Sequence, residues 1–300
     1  MMAPFLILFI GFILLPLGYS VYISFYGERM GVKFFVGLQN YVSAMHDANF
    51  WSALDRVLYY GVVQVTLMIV ISLALALLLD SPVARFKTLF RLLYFLPYAV
   101  PGVVATIMWG FLYSPNMDST LLNFLGGGAA HPFNPTSSGN LLYGIINIVL
   151  WEITGYNMTL YYAALTGIPL DLYDAAKIDG CGEWRVALHV KLPMLRPMVV
   201  MTIVLSIIGA LQLFNEPFFL SQIVPVSLDY TPNSEIYNTA FTFGNIPYAA
   251  TLSMILGIIS IVASIAFMLI SRRIGTGTGV RKARKRKAES AGTFAEGAAQ

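Results

Sequence analysis

Long apolar stretches recur along this 300-residue chain, each close to the roughly 20 residues that a helix needs to cross some 30 Å of hydrocarbon. They lack the alternation of polar and apolar residues that a membrane β-barrel strand requires. The chain therefore reads as all-α and polytopic, with about six transmembrane helices at approximately 2–25, 57–79, 92–113, 141–164, 198–221 and 248–271. Composition agrees. With 57% hydrophobic residues, 11% charged residues and a mean hydropathy of +0.72, there is too little polar surface to cover a water-soluble body of this size. The first run has no basic residue before it and no small-residue cleavage site after it, and it exceeds the ~7–15 residues of a signal core. It is read as a span.

The distribution of Lys and Arg sets the expected orientation. Arg85, Lys87 and Arg91 fall between spans two and three; Lys177, Arg185, Lys191 and Arg196 fall between four and five; Arg272, Arg273 and the Arg281–Lys287 cluster follow span six. The opposite segments hold only Arg29, Lys33 and Arg56. The positive-inside rule then puts the richer segments, and both termini, in the cytoplasm. Residues 1–271 are expected to form one transmembrane domain, and 272–300 a basic, unstructured tail. The net charge of +3 is thus a sorting signal beside anionic lipid, and no nucleic-acid partner is implied.

Several chemistries are missing. Gly126-Gly127-Gly128 is followed by Ala-Ala-His, so no phosphate-binding loop with its lysine and hydroxyl is present, and the chain is not expected to be an enzyme or to hydrolyse ATP. His46, His131 and His189 fall in three separate loops, which offers no metal-ligand set. Cys181 is the only cysteine, so no internal disulfide forms.

One polar island interrupts the apolar pattern, in the loop 166–197. Pro169 and Gly180 bracket a short helix in which Asp171 can meet free N–H groups near the start and Gly180 can take the left-handed conformation at the end. Leu172, Ala175, Ala176 and Asp179 share a side at helical spacing, and the small alanines permit close approach of a partner. Asp174-Ala175-Ala176, Asp179-Gly180 and Leu192-Pro193 resemble the cytoplasmic coupling loop of bacterial ABC importer permeases, whose usual pattern runs Glu-Ala-Ala, Asp-Gly-Ala, Leu-Pro. Asp174 stands for the usual glutamate and Cys181 for the usual alanine. The resemblance extends through Phe95–Gly102, Trp109, Leu211–Glu216, Ile236–Phe241 and Phe35–Tyr41 with Phe50-Trp51, all similar to the carbohydrate branch and to the first permease of its usual pair.

That resemblance implies a subunit of the bacterial cytoplasmic (inner) membrane that translocates a sugar, a di- or oligosaccharide or related glycoside. It implies a second permease, two copies of an ATPase that bind ATP and magnesium, and an extracytoplasmic solute-binding protein. Asp174, Ala175, Ala176, Asp179 and Gly180 would couple to the ATPase. Polar residues deep in spans are expensive unless they face a cavity, which singles out Glu152, Tyr156 and Asn157 in span four and Gln212, Asn215 and Glu216 in span five as candidates for the sugar path; the alternatives are a pair with a partner subunit for Glu152, a hydrogen bond across helices for Gln212 and packing for Tyr156. Glu152, about 11 residues or roughly 16 Å from one end of its span, is expected near the bilayer midplane. The competing expectation is a stand-alone ion- or proton-coupled carrier, which an internal repeat or a carboxylate relay would favour.

Overall fold

The computed structural model describes residues 3–29, 31–113, 135, 137, 139–227 and 229–297. The side chains of Arg29, Lys177 and residues from Arg272 onward fall outside that description, as do Gly126–Gly128 and His131. The fold is almost wholly helical. Among the described residues four helices are long and apolar enough to cross a membrane: α1 (Ala3–Ile23), α3 (Ala48–Asp80), α8 (Glu183–Leu211) and the Ile246–Ser271 portion of α11 (Ile246–Gly297), which follows the short α10 (Pro232–Tyr237). A fifth candidate is a bent pair, α4 (Lys87–Phe95, continued as a 3-10 turn to Ala99) and α5 (Gly102–Tyr113), whose halves meet at 91°. The fourth expected span is α6 (Leu141–Thr166), 26 residues and long enough, but diluted by Asn147, Glu152 and Asn157.

Local chemistry explains where these elements depart from the sequence expectation. Helix α3 starts nine residues before 57, because the Asp47 carboxylate accepts from the N–H groups of Asn49 and Phe50 and closes the helix start there. The third span breaks at Pro97, Pro101 and Gly102, where the two prolines withhold backbone donors. The fifth does not run unbroken to 221: α8 ends at Leu211, and the chain turns before α9 (Asn215–Leu220). Its other end is longer than expected, reaching back to Glu183 through a π turn at Ala187–Lys191. That turn shifts the hydrogen-bond register just before Pro193, which has no N–H to give. The last helix runs to Gly297, through the segment expected to be an unstructured tail.

A small hairpin, β1 (Tyr26–Arg29) with β2 (Val32–Phe35), was not foreseen; it pairs Tyr26 with Phe35, and Gly31 at φ 79° closes its turn. Asn40, in α2 (Gln39–Met45), donates to the carbonyls of Ser24 and Tyr26 and fastens the hairpin to the end of α1.

Helices α3 and α6 form the most extensive pair, with α8 packed on α3. Two apolar clusters lie along them. One gathers Phe50, Leu54, Val57, Tyr60, Ile145, Ile148 and Leu220; the other, toward the end richer in Lys and Arg, gathers Ala76, Met158, Tyr161, Leu165 and Leu195, with Tyr173 packed against it. Gly155 lets α4 come close, because a Cβ there would stand 1.6 Å from the Tyr94 carbonyl oxygen. The exposed sides of α1 and α11 carry Phe5, Phe12, Leu15, Ile258, Ile261 and Leu269, as expected of surfaces facing lipid or a partner helix.

Candidate functional site: a polar cavity and an exposed acidic helix

At the basic end, helix α7 (Leu170–Ile178) stands outside the apolar spans. Gly180 adopts φ 73°, and the N–H of Cys181 donates to the Ala176 carbonyl at 2.9 Å, the long closing bond of a left-handed helix terminus. Tyr173 and Ala176 turn inward and Ala176 is only 8% exposed, so its small side chain fits the body of this same chain. Asp171, Asp174, Ala175 and Ile178, at helical spacing, face outward instead. Asp179 and Leu172 are also exposed. Sequence reasoning missed two large apolar groups here: Ile178 is 86% exposed and Trp184 75%. Ile178 lies outside the spans and Trp184 at the very start of α8, and such residues beside carboxylates suit a protein contact.

Behind α7, Lys191 is buried and its Nζ lies 2.6 Å from Asp80 Oδ2 at the last residue of α3. The same ammonium stands 5.6 Å from the centre of the Tyr173 ring. Burial, and then the Asp80 carboxylate, push the Tyr173 phenol above its usual pKa.

Farther along the spans lies a cavity of about 420 Å³, within the roughly 300–1,000 Å³ typical of small-molecule sites. It brings together Tyr156 and Asn157 from α6 with Gln212, Asn215 and Glu216 from the break between α8 and α9. The break matters because it ends a helix in mid-path and exposes Gln212 and Asn215. Asn157 already donates its amide hydrogen to the Ile153 carbonyl at 3.0 Å, leaving its oxygen as acceptor. Glu152 is not among the lining residues. It packs instead against the start of α5, where a Cβ on Gly102 would lie 3.2 Å from its Oε1.

The cavity also has lining residues that the sequence did not single out. Tyr98 of the broken span stacks on Tyr156; Tyr60 and Gln64 come from α3, and Thr202 and Ser206 from α8. Thr202 is held by Tyr161, whose hydroxyl lies 2.5 Å away. The Pro97–Gly102 break was the available signal for Tyr98. A larger groove of about 870 Å³ adjoins the cavity at Gln212 and Phe214 and runs along α11, but Ile236, Leu256, Ile261 and Ile265 make it mainly apolar. The smaller cavity, with its amides, hydroxyls and aromatic faces, has the chemistry to hold a polyol: rings stack on the apolar faces of a sugar while amides bond its hydroxyls.

Residues 68–276 match the family described as binding-protein-dependent transport system inner membrane component. The chain is 35% identical over 273 residues to the lactose transport system permease protein LacF of Rhizobium radiobacter, covering 89% of this chain and 90% of that one. It is 30% identical over 274 residues to the arabinooligosaccharides transport system permease protein AraP of Bacillus subtilis, with 90% and 86% covered. Among solved structures, a chain of a bacterial ABC transporter that imports the acidic polysaccharide alginate superposes with a TM-score of 0.79 at 18% identity, covering 90% of this chain and 93% of that one. At that identity the likeness speaks for the fold.

Proposed function

The chain belongs to the inner membrane components of binding-protein-dependent transport systems and is a multi-pass permease of an ABC importer, and we propose that its cargo is a carbohydrate, a di- or oligosaccharide or related glycoside. The observation that carries this reading is the course of α8. Four residues separate the start of that helix from the end of α7, whose exposed face is acidic, and the helix ends where Gln212 enters the polar, aromatic cavity. One continuous helix thus runs between a surface suited to a soluble motor and a cavity suited to a polyol.

In this reading the chain crosses the membrane six times, counting α4–α5 as one crossing and α6 as another. Its basic segments and both termini face the cytoplasm. Helix α7 lies in a groove of an ATPase through Asp171, Asp174, Ala175 and Ile178. Two ATPase copies bind magnesium and ATP, a second permease completes the pathway, and an extracytoplasmic solute-binding protein delivers the sugar. Closure of the ATPases on ATP displaces α7 and changes the side from which the cavity opens.

Copurification from membranes tests the assembly. A complex containing an ATPase and a second permease is expected. A chain that accumulates sugar in vesicles without any ATPase would instead be a stand-alone carrier.

A further inference from the structure

Lys191 is a buried cation that the transport chemistry leaves without a role. It touches three elements. Its backbone belongs to the π turn at the start of α8, its Nζ lies 2.6 Å from Asp80 Oδ2 at the end of α3, and its charge faces the Tyr173 ring of α7 at 5.6 Å. Asp80 stays 18% exposed by its side chain, whereas Lys191 is 7% exposed, so the pair sits at the rim of the apolar body with its cation inside. The carboxyl end of a helix also attracts a cation, so the last turn of α3 holds Lys191 by two electrostatic terms. Helix α3 then runs 16 residues, or about 24 Å at 1.5 Å per residue, from Asp80 to Gln64 in the cavity wall.

We propose that Lys191 and Asp80 are positioning residues that pass the displacement of α7 to α3, and so to Tyr60 and Gln64 in the cavity. This rests on the reading of α7 as the ATPase dock. Without the pair, α7 retains its exposed face and still meets the ATPase, but its movement is no longer transmitted through the end of α3. The ion pair ties α8 to α3 and the Tyr173 ring contact adds α7, so the three elements form one contiguous packed network of the kind along which coupling can run.

The experiment uses the full complex in proteoliposomes, with loaded binding protein, and reads sugar molecules imported per ATP hydrolysed. Lys191→Met is expected to lower that ratio about fivefold or more, the low end of free-energy coupling between sites, while ATP hydrolysis continues. The double exchange Asp80→Lys with Lys191→Asp is expected to recover most of the ratio, which a simple packing role would not do. Asp174→Arg runs in parallel: if it leaves both hydrolysis and uptake unchanged, the dock itself is misassigned. An unchanged ratio in Lys191→Met with an intact dock overturns the relay. Loss of the assembled complex in Lys191→Met, or failure of the exchange to recover the ratio, makes the pair a structural tie and overturns the relay as well.

Discussion

The ring of Tyr98 lies stacked on that of Tyr156, centroids 4.5 Å apart and planes inclined by 20°. The two side chains come from different spans, and the stack exists because the chain bends at Pro97–Gly102 and turns the end of the first half-span toward α6. It lines the same cavity as the amides of Gln212 and Asn215 at the α8–α9 break. A flat aromatic face beside hydrogen-bonding groups is what a neutral sugar ring needs.

Alanine at Tyr156, Gln212 or Asn215 should therefore lower sugar uptake without disturbing assembly. Loss of one substrate-facing hydrogen bond costs roughly 1–3 kcal/mol, so an effect of about tenfold at limiting sugar is expected. Tyr98→Ala should behave like Tyr156→Ala. Uptake by the triple variant Tyr156→Ala, Gln212→Ala, Asn215→Ala is measured in reconstituted vesicles at limiting sugar; wild-type rates would remove these residues from the pathway.

Gly155 governs how closely the broken span approaches α6. A methyl group there would collide with the backbone oxygen of Tyr94 at 1.6 Å, and backbone does not swing aside as a side-chain tip does. Gly155→Ala should destabilise the protein by roughly 1–3 kcal/mol, the range for overpacked interiors. Gly11→Ala, with open space around the added group, is the control and should change little. Thermal unfolding in detergent compares them, and equal midpoints for both variants would contradict the close packing.

Cys181 follows Gly180 at the end of α7 and is partly exposed. The proposed orientation, argued from the Lys and Arg distribution, puts this turn on the cytoplasmic side. In intact cells Cys181 should resist a membrane-impermeant thiol reagent and react once the membrane is opened. Fast labelling of intact cells, absent in Cys181→Ala, would reverse the orientation.

What the sequence made legible follows from the range of the forces involved. The end of α7 was readable because Pro169 and Gly180 act locally: one favours a helix start, and the other tolerates φ 73°. The inward turn of Ala176 was not readable, since it depends on which face of the helix meets the rest of the chain. The same holds for the cavity. Tyr156, Asn157 and Gln212 stood out as polar residues in apolar runs, but Tyr60, Gln64 and Thr202 join them only through the packing of α3 and α8 on α6. Glu152 stood out for the same reason and yet lies against Gly102, because helix rotation decides what a polar residue faces. The hairpin at Tyr26–Phe35 was hidden among aromatic residues that suit a strand as well as a membrane border.

Asp174→Arg tests the central claim most directly. The wild-type and variant permeases are each reconstituted with the second permease, ATPase and loaded binding protein, and ATP-driven sugar uptake and sugar-stimulated ATP hydrolysis are measured together. The account predicts normal insertion of the variant with both activities reduced at least about tenfold, the scale of losing a charge-assisted contact worth roughly 1.5–3 kcal/mol. Wild-type uptake and wild-type hydrolysis in a normally inserted Asp174→Arg permease would contradict it.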